Sequence, residues 1–354
     1  MSAMETRKIQ QVGGGTYTVS LPKEWANGAD IEPGAAVALH SHIDGTLVIQ
    51  PGTKSTEATT PLALSIDGAD PKRLTHALRA AYAAGVDTVE CTASEGITDD
   101  QQRTIERITR DLTGVTISES TAHTVRIRSL LDAEEVSIPQ SVRQLQFTAL
   151  SAHRDATDAV SGPTTVENPE ARDDQADRLY TMVDRYFQRG LDSLSVMDAL
   201  GLTRPSLFVH WVTARELERV ADHARRIAAV ANRLESPVGQ PIGREFDDVA
   251  DRARTLVRDA VAAVVDGDDI AAVGTILDDC DRLREDVRAL DRRLFETDDA
   301  PYRLTNALDA LRRTADSATS IATLALRSRF RDELSDGGPF AIGTTPPPSA
   351  TDAG

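Results

Sequence analysis

The second half of the chain contains an internal repeat, which constrains the fold more than any other feature. The segment 218–228 aligns with 312–322, and the triplet Asp-Arg-Leu at 177–179 recurs at 281–283. Apolar residues in this region recur at the i, i+3, i+4 spacing of amphipathic helices. Since one repeat spans three helices, the sequence predicts two three-helix bundles packed as pseudo-repeats. The predicted helices cover residues 137–160, 169–198, 205–235, 242–266, 269–296 and 302–334.

The residues before the repeat predict two further domains, so the fold class is mixed. Short β-rich runs separated by Gly and Pro predict a small β domain with a hairpin turn at Ile43-Asp44-Gly45. A polar linker and then alternating strand and helix patterns predict a small α/β domain. The last residues are rich in Gly, Pro, Ser and Thr, which predicts a flexible tail. The predicted domains are 1–56 (β), 57–132 (α/β), 133–334 (all-α) and 335–354 (tail).

Composition excludes several classes of protein. The 354 residues include 56 Asp plus Glu against 39 Lys plus Arg, a formal net charge of −17. Two cysteines cannot form a disulfide framework, and no Cys/His cluster resembles a zinc site. No apolar run approaches the ~18 residues of a membrane span, and the amino-terminal residues lack an apolar signal region. We therefore expect a cytoplasmic protein without membrane insertion.

The basic residues are almost all arginine, because the chain has only four lysines. Together with the large excess of carboxylates, this composition favours a halophilic cell with high internal salt. A GC-rich genome would also favour arginine over lysine, but it would not by itself produce the net charge.

Two acidic pairs lie at the edges of apolar helix stripes. Asp173 and Asp177 are four residues apart on the second predicted helix, as are Glu218 and Asp222 on the third. If these edges face each other, four carboxylates converge and repel, and a hard or borderline multivalent cation would relieve the repulsion. The alternative, which spacing alone favours, is a set of solvated charges paired with neighbouring arginines such as Arg225.

The residues around these acids resemble a known family. The pattern Glu-Arg-x-Ala-Asp-x-Ala-x-x-Ile-Ala at 218–228, with Asp-x-x-x-Asp-Arg-Leu-Tyr at 173–180, resembles PhoU, the phosphate uptake regulator. The resemblance covers about 137–330 and implies a six-helix, non-enzymatic bundle. It also implies clusters of iron or zinc, with Mg or Mn as further options, and no organic cofactor. The implied metal ligands are Asp173, Asp177, Glu218 and Asp222, with Asp174 as a weaker, auxiliary candidate.

The second repeat departs from this pattern. Leu277 stands where Asp173 aligns, and Arg312 stands where Glu218 aligns. We therefore predict one competent metal site, in the first repeat, and a degraded or arginine-occupied site in the second. The weaker candidate ligands of the second repeat are Asp281 and Asp316, with Asp278 as an auxiliary. His223, within the first motif, is predicted to be a surface histidine rather than a ligand.

The amino-terminal domain resembles a second family. Residues 16–25, followed by Ile-Glu-Pro-Gly at 31–34, look like the AbrB/SpoVT swapped-hairpin domain, an intertwined β dimer that usually binds DNA. The order of domains resembles the PhoU regulators of halophilic archaea. Residues 1–56 carry four basic and five acidic residues, so they are the least acidic part of the chain. Arg7, Lys8 and Lys23 are candidate DNA-phosphate contacts; the alternative is that the domain only dimerises.

These resemblances imply a regulator of phosphate uptake and phosphate homeostasis. Its expected partners are the ATPase subunit of the phosphate ABC transporter, DNA through the amino-terminal domain, and further copies of the chain in a homodimer or higher homo-oligomer. The alternative is a DNA-binding transcriptional regulator in which the bundle only senses an effector. An enzyme is not expected: a carboxylate-bridged di-metal oxidase needs Glu-x-x-His pairs, which the helices lack, and no hydrolase signature appears.

Overall fold

The computed structural model describes residues 6–13, 15–43, 45–51, 60–163, 165–166, 168–296 and 302–336. The chain divides into two compact units, Met1–Thr59 and Thr60–Gly354. Asp44 of the predicted hairpin turn, residues 52–59 of the polar linker and residues 337–354 of the predicted tail lie outside the described residues.

The first unit contains two antiparallel hairpins and one short helix. Its hairpins pair Gln10 with Thr18 and Leu39 with Ile49. Several large apolar side chains remain exposed, among them Tyr17 at 70% and Leu39 at 60%, and His42 is the one buried residue among those described in this unit. The unit therefore lacks an apolar core of its own in its described part. Its elements are β1 Gln10–Val12, β2 Thr16–Thr18, α1 Lys23–Gly28, β3 Val37–Ser41 and β4 Leu47–Pro51.

The second unit begins with a small α/β domain. Its sheet has the order β5-β6-β8-β7, in which β5 and β6 are parallel and the other pairs are antiparallel. Asp70 caps one helix, and Thr98 forms a capping box with Gln101 at the start of the other. Alternate strand residues such as Val89 and Cys91 are buried in a core shared with these helices. The elements are β5 Leu62–Ser65, α2 Pro71–Ala83, β6 Thr88–Thr92, α3 Asp99–Asp111, β7 Val115–Ser120 and β8 Thr124–Ser129.

The remainder of the second unit is a helical bundle. Helices α4, α5 and α7 pack against each other, as do α8, α9 and α10, and the two groups meet where α7 contacts α10 and α4 contacts α8. The predicted arrangement of two three-helix repeats is therefore confirmed. No helix of the described residues has the length and apolar character needed to cross a membrane. The helices are α4 Ile138–Ser161, α5 Pro169–Asp192, α6 Leu194–Leu200, α7 Arg204–Ala231, α8 Ile242–Ala262, α9 Ile270–Phe295 and α10 Leu304–Asp336.

The second predicted helix, 169–198, is interrupted, and the prediction of one continuous helix was wrong. Ser193 adopts an extended conformation, and its hydroxyl accepts a hydrogen bond from the Val196 amide, so that a new helix, α6, begins. Gly190 allows the preceding turn to pack closely, because a Cβ there would lie 2.7 Å from Leu207. The apolar spacing continues through the break, and it therefore predicted a single helix.

A buried arginine joins the α/β domain to the bundle. The Arg185 side chain on α5 is fully buried, and its guanidinium donates to the Tyr82 carbonyl at 2.9 Å and the Val86 carbonyl at 2.8 Å. The same group donates to the Asp87 carboxylate at 2.5 Å. A buried guanidinium is stable only when its donors find acceptors, so these bonds fix α2 beside α5.

Candidate functional site

The four predicted carboxylates lie together where α5 packs against α7. Asp173 and Asp177 are on α5, and Glu218 and Asp222 are on α7, with each side chain half-buried. Burial first, and then the neighbouring Asp177, Asp222 and Asp173 charges, raise the pKa of Glu218 to about 7. The structure therefore brings these four acids into electrostatic contact, as the sequence predicts for two facing helix edges.

The pKa values of the two α5 carboxyls are also raised. Burial is the main cause for Asp173, opposed by the positive charge of Arg225. Burial is again the main cause for Asp177, opposed by Arg79 of the α/β domain. Raised pKa values at three neighbouring carboxyls mean that the site holds more negative charge than its surroundings stabilise.

Arginines partly neutralise this group, which we call the acidic cluster (Asp173, Asp177, Glu218 and Asp222). Arg225 contacts Asp173 at 2.8 Å and Asp222 at 2.5 Å. A second arginine of α7, Arg226, lies 2.6 Å from Asp222. From the α/β domain, Arg79 reaches Asp177 at 3.5 Å. These contacts match the alternative view of the acids as arginine-paired charges for every member of the cluster except Glu218.

Glu218 is the exception because its carboxylate forms no ion pair or hydrogen bond with any residue in the described part of the chain. Its neighbour Arg219 instead contacts Glu216, at 2.7 Å. Arg219 lowers the pKa of Glu218 only slightly and from a distance, so Glu218 is the member of the cluster that no described arginine contacts. Asp174, the auxiliary candidate, is exposed and acts on the cluster only by raising the pKa values of Asp173 and Asp177.

The donor chemistry of the acidic cluster suits a cation, but its side chains are not arranged around one. Among the described residues, no group of three or more His, Cys, Asp or Glu side chains is placed to hold a metal ion. Carboxylate oxygens are nevertheless the ligands that hard and borderline cations prefer. A cation would supply the positive charge that Glu218 lacks, provided that Arg225 or Arg79 turned away.

The corresponding place in the second repeat is occupied by arginines. Arg312 contacts Asp316 at 3.0 Å, the neutralisation anticipated from its alignment with Glu218. Arg284 contacts Asp281 at 2.9 Å and Asp316 at 3.3 Å. Leu277 replaces the fourth carboxylate and packs against the core. The weaker candidates Asp281 and Asp316 therefore face matched positive charges, and Asp278 is exposed nearby on α9.

The prediction that His223 is a surface histidine was wrong. Its side chain is buried, and burial lowers its pKa to about 4. The ring lies 3.3 Å from the Thr314 hydroxyl of α10, which is also 3.5 Å from the buried ring of His153 on α4. Burial likewise lowers the pKa of His153, to about 3. These neutral histidines form part of the contact between the two repeats.

The three candidate DNA contacts lie in the first unit and are exposed. Arg7 and Lys8 precede β1, and Lys23 is the first residue of α1. Positions at strand and helix starts leave these side chains accessible to phosphate groups.

The sequence analysis did not predict three arginines that form ion pairs with residues on other helices or in another domain. Arg79 and Arg185 link the α/β domain to α5, and Arg284 links α9 to Asp316 of α10 in the second repeat. Arg79 is far from Asp177 in sequence, so no local spacing could reveal the pair. A signal existed for Arg284, because it stands where the first motif has Tyr180.

Comparisons with known proteins identify two domains. Residues 142–231 match the model of the PhoU domain, and residues 10–57 match that of the antidote-toxin recognition protein MazE, a bacterial antitoxin. Among solved structures, the crystal structure of PhoU from Pseudomonas aeruginosa is similar, at 19% identity and a TM-score of 0.40, over 57% of this chain and 96% of that chain. No curated protein matches the chain. The PhoU and AbrB/MazE-like resemblances are therefore confirmed at the level of domains.

Proposed function

We propose that this protein is a cytoplasmic, non-enzymatic regulator of phosphate uptake and homeostasis. The proposal is based on the PhoU domain at 142–231 and the MazE/AbrB-like domain at 10–57. The PhoU domain supports a role in phosphate regulation. In this proposal the acidic cluster binds a divalent or trivalent metal ion such as iron or zinc, and the bundle acts on the ATPase subunit of the phosphate ABC transporter.

One observation carries the proposal of a metal ion. The pKa of Glu218 is raised to about 7, by burial first and then by three neighbouring carboxylates, and no described residue pairs with it. Asp173, Asp177, Glu218 and Asp222 would hold the ion, which would supply structural charge neutralisation. Without it, burial of this excess of carboxylates destabilises the α5–α7 contact.

The amino-terminal unit supports assembly into at least a homodimer. Its described residues bury almost no apolar side chain, while Tyr17, Leu39 and Leu47 are 70%, 60% and 59% exposed. A domain of about fifty residues without a core gains stability from a second copy that covers such a surface. Arg7, Lys8 and Lys23 would then be presented twice.

A transcriptional regulator in which the bundle only senses an effector is the second candidate. The observation that favours it is the exposure of all three basic side chains in the least acidic part of the chain. Phosphate contacts by so few cations are weak at high salt, so base contacts or DNA shape would have to provide affinity.

The two candidates are separated by capture from phosphate-replete cells with the full chain as bait, beside a DNA-binding assay at native salt. The regulator of uptake predicts recovery of the transporter ATPase. The double variant Asp177→Ala with Glu218→Ala should lose this recovery, whereas Asp316→Ala should retain it. Retention of DNA that responds to phosphate or metal, without the ATPase, would instead decide for the transcriptional regulator.

A further inference from the structure

A groove with three arginines lies between α7 and α10. Arg226, Ala229 and Arg233 recur at helical spacing and share the face of α7 that looks towards α10. Asn306 lies in the first turn of α10, and Arg303 is the residue before that helix; both line the groove. The small side chain of Ala229 leaves space between the helices, and the groove has a volume of about 300 Å³. This is at the lower end of the roughly 300–1,000 Å³ typical of ligand pockets.

One of the three arginines of this groove, Arg226, is paired with Asp222 at 2.6 Å, and the other two have no carboxylate partner in the described part of the chain. Neither Arg233 nor Arg303 forms an ion pair with a carboxylate among the described residues, although Arg303 lies over the Tyr302 ring at 5.3 Å. Among the described residues that line the groove, the one acid, Asp309, is already held at 2.7 Å by both Arg312 and Arg313. These two exposed arginines are therefore not neutralised by a carboxylate of the described residues.

A second groove shows a different arrangement, in which both arginines are paired. It lies between α8 and α9, has a volume of about 210 Å³ and is lined by two arginines. Arg252 lies 2.5 Å from Asp286, and Arg293 donates to Glu245 at 2.8 Å. Each of these arginines therefore has a carboxylate partner within the groove. The α7–α10 groove differs because two of its three arginines, Arg233 and Arg303, have no carboxylate partner among the described residues.

We infer that the α7–α10 groove binds a phosphoryl anion. Guanidinium groups match the oxygens of a phosphoryl group with two parallel hydrogen bonds, and the Asn306 amide adds a neutral donor. The start of α10 beside the groove also favours an anion. The ligand is inorganic phosphate or a phosphoryl group of a larger molecule. The choice of phosphate as the anion rests on the proposed function, whereas the positive charge of the groove follows from the residues that line it.

The test is a titration of the full chain, observed by calorimetry and by ³¹P NMR in a chloride-free salt. Inorganic phosphate and tripolyphosphate are the two probes, and we expect saturable binding of at least one. Binding of phosphate alone identifies the free ion as the ligand, and binding of tripolyphosphate alone identifies a phosphoryl chain. Arg233→Ala with Arg303→Ala should weaken binding by about tenfold or more, the effect of losing one charge-assisted hydrogen bond.

Arg252→Ala with Arg293→Ala is the matched control, because it also removes two positive charges, from the α8–α9 groove. It should change the affinity by about twofold at most, since the partners of these arginines are Asp286 and Glu245 rather than the ligand. Circular dichroism of each variant establishes that it is folded, and Arg233→Lys with Arg303→Lys should retain part of the affinity. Failure of both probes to saturate, or equal losses in the two grooves, would overturn the inference. Capture of the transporter ATPase is a separate measurement, so a groove that fails this titration leaves the proposed regulator standing.

Discussion

The two helical repeats differ at the place where their sequences align best. In the first repeat, Arg79, Arg225 and Arg226 reach the acidic cluster and leave Glu218 without an ion pair to a described residue. In the second repeat, Arg284 and Arg312 hold Asp281 and Asp316. The same scaffold thus carries one site with excess negative charge and one that is balanced. A balanced site is stable without a ligand, whereas an unbalanced one is stabilised by a cation.

The repeats should differ most when candidate metal ligands are removed from each of them. Asp177→Ala with Glu218→Ala should abolish bound iron or zinc, because the cluster then loses half of its carboxylates. Asp316→Ala should leave nearly all of the metal, because Arg284 and Arg312 already occupy that site. Elemental analysis of the purified proteins measures both. Equal losses from the two changes would refute a single site in the first repeat.

The converse change should build a second site. Leu277→Asp, Arg284→Tyr and Arg312→Glu together give the second repeat the residues that the first has at the same positions. We expect the metal content per chain to rise by about the amount that the first site contributes, because four carboxylates then converge without an arginine between them. Arg312→Glu alone should add little, since Arg284 would still contact both aspartates. Unchanged metal content in the triple variant would show that the motif alone is not sufficient.

A smaller effect concerns stability, and its sign should differ between the repeats. The pKa of Glu218 is raised from 4.5 to about 7, so the folded chain keeps its proton when the unfolded chain has lost it. Stability therefore falls as the pH rises from about 4.5 to 7, and the full penalty is present above 7. Glu218→Gln removes this penalty. In metal-free protein it should raise the free energy of unfolding by about 1–2 kcal/mol above pH 7, after allowance for solvent screening, and have little effect below pH 4.5.

Asp316→Asn is the matched change in the second repeat, and it should lower the free energy of unfolding by about 1 kcal/mol at pH 7. The Asp316 carboxylate is stabilised by Arg284 at 3.3 Å and by Arg312 at 3.0 Å. The asparagine variant removes this negative charge, so both arginines lose an ion pair. Urea titrations of both variants across this pH range provide the measurement. Destabilisation by Glu218→Gln would show that the first repeat is balanced after all.

The helices and the pairing of acidic edges could be predicted from sequence because both depend on residues three or four positions apart. The convergence of Asp177 with Glu218 followed once α5 and α7 packed together. The interruption at Ser193 could not be predicted in the same way, because apolar spacing continues on both sides of it. It depends on a hydroxyl cap and on the close contact of Gly190 with Leu207.

The orientation of His223 shows a different limit. It lies three residues after Val220 and four before Ile227, and both of these are buried. This spacing places His223 at the side of the face that these residues share. Because α7 packs against α4, α5 and α10, its buried stripe is wide enough to include His223. Arg79 could not be foreseen at all, since its contact with Asp177 depends on how the α/β domain is fixed to α5 by Arg185.

The ion pair between Arg226 and Asp222 connects the α7–α10 groove with the acidic cluster. Arg226 lines the α7–α10 groove, and Asp222 is a member of the acidic cluster, only 2.6 Å away. An anion that draws Arg226 into the groove would leave Asp222 with Arg225 as its arginine contact among the described residues, and a cation that takes Asp222 would release Arg226. If both sites are filled as proposed, each ligand should strengthen the binding of the other, and thermodynamic reciprocity requires the factor to be the same in both directions. One side-chain contact would then make the protein a detector of two ions present together.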